Sequence, residues 1–194
     1  MALLCMTQLH GKKFPRFFWE VFFLQTVSRR LALCAVLTAL ALALSMADSL
    51  IPLALLIPVP GLRIGFANLV TVFALCRLSG RDALLILVAR CLLSALGSGN
   101  LSALFFSLSG GLLALAAMAL LLRQRRLSLL GVCIGGAAAH NAGQILAAIV
   151  YFSSPAPLLY LPPLLLCSLA TGAVIGFASL LLVHRIPVAF TRTS

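Results

Sequence analysis

Three side chains able to do hydrogen-bond or acid–base chemistry, His140, Asn141 and Gln144, sit together in the stretch AAAHNAGQILAA, residues 137–148. No Lys, Arg, Asp or Glu occurs between Ser128 and His184. On a helix His140 and Gln144 are one turn apart and Asn141 and Gln144 three residues apart, so they share a face. Amides and an imidazole this deep in an apolar segment need hydrogen-bond partners, which either neighbouring helices or a bound molecule supply. The flanking glycines and alanines leave room for either.

Arg90 raises the same question in LLILVARCLLSAL, residues 84–96. A cation inside a bilayer costs roughly 2.5–3.5 kcal/mol on insertion scales unless it is paired or hydrated. Its acceptor is to be sought among Asp48, Asn68, Asn141 and Gln144, or in an anionic ligand that Arg90 would hold with Arg63. The first account is a structural ion pair and the second a binding site.

Several chemistries are left out. There is no phosphate-binding glycine loop, no GxSxG and no metal-ligand cluster, so no catalytic residue and no cofactor is assigned, and energy from a nucleotide would come from another polypeptide. The six cysteines stand singly, without a CxxC pair, and read as small core hydrophobes. Prenyl diphosphate chemistry holds magnesium through oxygen ligands. With Glu20, Asp48 and Asp82 as the only acids, this chain alone is a poor candidate for it.

The elements that position these residues follow from composition. Of 194 residues 63% are hydrophobic and 9% charged, with a mean hydropathy of +1.19, which predicts an all-α integral membrane protein. Lys and Arg number 14 against 3 acids, but no polar domain is left to carry a nucleic-acid surface, so no nucleic-acid partner is expected. Breaks at charges, prolines and glycines divide the chain into six spans: 31–50, 62–78, 82–96, 101–122, 128–152 and 158–183. If the N-terminus is cytoplasmic, every Lys and Arg except Arg63 and Arg90 falls on the cytoplasmic side, as short inner loops require. A multi-pass protein of the cytoplasmic membrane with both termini inside results. Residues 1–29 form a cytoplasmic or interfacial extension, 30–186 the membrane domain and 187–194 a tail. A cleaved signal peptide is the competing reading of the basic flank before LALCAVLTALALALSMA, but that apolar run exceeds the usual ~7–15 residues. The aromatic FPRFFWEVFFLQ ahead of it suits an interfacial helix.

The first span spaces Ala35, Ala39, Ala43 and Ala47 four apart, a stripe along which another helix can approach closely. Gly172 and Gly176 repeat that spacing in the last span and suit internal packing. The connection DSLIPLALLIPVPGLRIGFANLV, with Pro52, Pro58 and Pro60, disfavours a continuous helix and reads as a hydrophobic turn or a lid over an outward-facing cavity.

At PGLRIGFANLVTVFAL, SLSGGLLA and GGAAAHNAGQ the sequence resembles the Gx transporter family, also labelled heptaprenyl diphosphate synthase component I, from about residue 47 to 183. That family is similar to the substrate-binding S components of energy-coupling-factor transporters. The resemblance implies a six-helix bundle and docking of Ala35, Ala39 and Ala43 onto a coupling transmembrane subunit driven by ATPases. It implies a ligand held near the outer half beneath the first connection, and it carries an association with quinone and isoprenoid metabolism and with flavin-based extracellular electron transfer. The expected function is therefore a substrate-binding transport subunit in the lipid bilayer. Its small-molecule ligand would be anionic, quinone-related or vitamin-like and would be held by Arg63, Asn68, Arg90, His140, Asn141 and Gln144. The alternatives are a noncatalytic synthase subunit and an electron-transfer scaffold.

Overall fold

The computed structural model describes residues 16–50, 65–124 and 127–185, with side chains at 28–48, 65–124 and 127–183. Among them are six α-helices and no strand: α1 (Arg16–Leu50), α2 (Asn68–Arg77), α3 (Gly80–Ser98), α4 (Leu101–Leu121), α5 (Leu129–Phe152) and α6 (Leu161–Arg185). A single 3-10 turn, Ala156–Tyr160, leads into α6. Residues up to Ala35 form one compact unit and those from Val36 a second. Predicted positions in residues 1–15, 51–64 and 186–194, Arg63 and the proposed lid included, lie outside the described residues.

Local chemistry sets the helix ends. Ser79 and Asp82 make a capping box at α3, with Asp82 donating its N–H to Ser79 Oγ at 3.3 Å and Asp82 Oδ2 accepting from Ser79 N at 3.2 Å. Gly99, at φ 63°, ends that helix, and Asn100 Oδ1 then caps α4 by accepting the Ala103 N–H at 3.2 Å. Ser128 does the same for α5 through the Gly131 N–H. α2 has no side-chain cap of its own: Ala67 occupies that position.

Among the described residues four stretches are long and apolar enough to cross a membrane: Ser28–Asp48, Leu101–Leu121, Leu129–Phe152 and Ala156–Val183. The chain is a multi-pass membrane protein. The two spans expected to be short differ from the rest. α3 has 19 residues, enough length, but carries Arg81, Asp82 and Arg90. α2 has 10 residues, beginning six positions later than the predicted span, because Gly65 at φ +92° and the turn through Phe66 and Ala67 precede it.

α5 is the centre of the bundle. Of its spanning window 61% is buried, against 22–33% in the other three. It packs most extensively on α4 and α6. Glycines permit this approach: a methyl placed on Gly172 of α6 would lie 2.5 Å from Ile134 Cα, and one on Gly176 3.0 Å from Leu130 Cα. On the α4 side, a methyl on Gly143 would lie 2.8 Å from the Ser109 carbonyl oxygen. Arg77, at the end of α2, donates to the carbonyl of Val183 near the end of α6 and ties these two helices at that end of the bundle. Within its second unit α1 turns Leu37, Ala41, Ser45 and Asp48 inward, while Ala39, Ala43 and Ala47 are exposed. Ala35, in the first unit, is also exposed. Of the cysteines, Cys91 and Cys133 are core residues, whereas Cys167 is exposed.

Candidate functional site: a polar layer inside the bundle

Five of the six residues expected to form a site are described, and all five are buried: Asn68, Arg90, His140, Asn141 and Gln144. A rise of 1.5 Å per residue puts Asn68 about 14 Å from the end of α2, Arg90 about 15 Å from the start of α3 and His140 about 16 Å from the start of α5. These three helix ends lie on the side where Arg77 meets Val183, so the side chains share one layer across the bundle.

Glycines show which of them meet. A methyl on Gly65 would lie 3.0 Å from both Asn68 Nδ2 and His140 Cδ2, so amide and imidazole flank the same point of backbone. On α4, a methyl on Gly110 would lie 2.8 Å from Gln144 Cγ and 3.1 Å from His140 Cε1. On the adjacent Gly111 it would lie 3.3 Å from Arg90 Nη2. Asn68, His140, Gln144 and Arg90 are therefore strung around three glycines, each of which brings backbone where a side chain would otherwise stand.

Asn141 is turned elsewhere. Its Nδ2 donates to the Leu164 carbonyl at 2.9 Å, bonding α5 to α6 in the manner of interhelical polar contacts within membranes. Of the trio that shares one stretch of sequence, two members face α4 and the third ties α6.

Asp48 completes the layer. Its Oδ2 accepts from Gly65 N at 3.1 Å and Phe66 N at 2.9 Å, so the carboxylate of α1 holds the turn that leads into α2. An anion at a helix N-terminus also meets the positive end of the helix dipole. Sequence reasoning considered Asp48 only as a partner for Arg90; its bonds to the backbone 17 and 18 residues away leave no local signature.

Asn68 differs from its neighbours. It is 2% exposed, and neither Oδ1 nor Nδ2 has a hydrogen-bond partner. Buried hydroxyls are provided for locally, as where Ser179 donates to the Ile175 carbonyl and Thr71 to that of Ala67, and Asn141 leaves Oδ1 open but not Nδ2, whereas both amide atoms of Asn68 are open. Among the described residues no three His, Cys, Asp or Glu side chains gather closely enough to hold a metal ion. An apolar groove of about 460 Å³ lies between α4 and α5 and is lined by Phe105, Ser109, Leu113, Gly143 and Val150 among others; it includes none of the site residues.

The chain matches the family described as heptaprenyl diphosphate synthase component I over residues 37–182, which takes in every element of this layer. No match was found among curated proteins or solved structures. The chain belongs to the heptaprenyl diphosphate synthase component I family.

Proposed function

We propose, with that membership as the premise, that this chain is a ligand-binding subunit of a membrane transport system in which other subunits supply the energy. The observation that carries the reading is the buried layer itself. Asn68, Arg90, His140 and Gln144 reach one level of the bundle from three helices, and the orphaned Asn68 amide is a vacancy in its hydrogen bonding. Membrane proteins place polar groups at this depth where they meet a substrate or one another. A helix that starts inside the bundle, as α2 does, is a recurring feature of transporter sites, because its terminus is available there. The ligand is a small molecule with a polar head: a quinone precursor or vitamin-like ring, with Arg90 favouring any negative charge.

In this reading α2 and α3 complete a six-segment bundle of the cytoplasmic membrane, with both termini in the cytoplasm and Arg63 at the outer mouth. The 1–29 extension and the 187–194 tail lie inside. The exposed Ala39 and Ala43, with Ala35, form the face that meets a coupling subunit and its ATPases.

Native mass spectrometry of the gently purified chain tests the proposal. A small molecule should be retained by the wild type and lost from Arg90→Ala, while circular dichroism stays the same. A folded, ligand-free wild type would overturn the transport reading.

The family description favours a second reading, a noncatalytic partner of a prenyl diphosphate synthase. The scarcity of acids assigns the chemistry to another polypeptide in either case. Under the second reading the chain co-purifies with a soluble, aspartate-rich synthase and changes the length of its product.

A further inference from the structure

We infer that Asn68 recognises a ligand edge carrying a hydrogen-bond donor and an acceptor side by side, as in a lactam, a primary amide or an aminopyrimidine. This rests on the polar layer being a ligand site, and adds the chemistry that the site selects. A buried side chain of a native protein nearly always has its polar atoms bonded, and an exception calls for an explanation. Asn68 has two such atoms open on one planar group, at 2% exposure. Capping does not use them. The cap position of α2 belongs to Ala67, and the amides of Gly65 and Phe66 are already taken by Asp48.

The two open atoms make opposite demands: Oδ1 needs a donor and Nδ2 an acceptor. A planar edge offering both meets them together, as Asn does when it pairs with the acceptor and donor on one edge of adenine. A carboxylate, a phosphate or a quinone carbonyl offers acceptors alone and would leave Oδ1 unmet. Among the ligand classes the site could take, this favours a nitrogen heterocycle or amide over a quinone. Gly65 packs its backbone closely beside this amide, since a Cβ there would stand 3.0 Å from Nδ2 and from the His140 ring. His140, beside the same point, would then flank the bound group.

The test uses the full chain in lipid nanodiscs and saturation-transfer NMR with three probes. 2-Pyridone carries an adjacent N–H and C=O, N-methyl-2-pyridone lacks the donor, and benzoate offers acceptors only. The wild type should give a saturable 2-pyridone signal, at least fivefold weaker with the other two, and lost in Asn68→Leu. Asn68→Asp keeps the volume and removes the donor, and it carries the test should the leucine variant misfold. Equal signals from 2-pyridone and its N-methyl analogue, the absence of any 2-pyridone signal, or retention in a folded Asn68 variant would overturn the inference. A molecule retained in native mass spectrometry without a donor–acceptor edge also overturns it, while leaving the transport reading intact. An empty preparation overturns that reading as well.

Discussion

Asn68 and Asn141 are the same residue type in the same buried layer, yet their surroundings ask different things of them. Asn141 gives its N–H to Leu164 and holds two helices together. Bonds of this kind are worth about 0.6 kcal/mol on average within membranes. Asn141→Ala should therefore lower stability by roughly that amount, with any retained ligand still bound, as read by thermal unfolding and native mass spectrometry on the same sample. Gly65 is a residue whose replacement should be felt in this layer. At φ +92° an L side chain is strained, and its Cβ would also press on Asn68 and His140. Gly65→Ala should destabilise by about 1–3 kcal/mol, measured by thermal unfolding, whereas Gly80→Ala, with nothing within 4 Å, should be close to neutral.

At the level of elements, the contact between α5 and α6 rests on Gly172. Its missing side chain faces Ile134 Cα, which is backbone and cannot rotate away. Gly172→Ala should cost about 1–3 kcal/mol, the usual range for overpacking, while Ala173→Leu, at a half-buried position one residue on, should cost less. Thermal unfolding of the two variants checks the difference. The small-residue spacing made this packing legible in the sequence, and the lone polar cluster in AAAHNAGQ made α5 legible as the helix that carries the layer. α2 was harder to see. Apolar residues fill the span predicted at 62–78, and hydropathy does not register a glycine at positive φ or a turn held by a carboxylate from α1. The convergence of Asn68 with His140, and the departure of Asn141 from the same trio, depend on which neighbour each side chain meets. Spacing along one helix places side chains on a face and says nothing of what stands opposite.

For the whole molecule, α1 connects the two aspects of the proposed function. Its inward face ends in Asp48, which grips the start of α2, and its outward face carries Ala39, Ala43 and Ala47. A substitution on the outward face falls at an exposed position, so it should leave the isolated chain's stability within about 0.5 kcal/mol of wild type. The same substitution in a complex would place four carbons where small residues let a partner helix approach closely. Ala39→Leu should thus separate the chain from a coupling subunit in pull-downs from native membranes, with ligand retention unchanged. Asp48→Asn, on the inward face, should do the reverse. It loosens the turn before α2 by removing the charge that favours the helix N-terminus, and lowers ligand retention while the partner remains bound. Loss of both properties in both variants would mean that α1 matters only for folding. Loss of neither would place docking and binding on other helices.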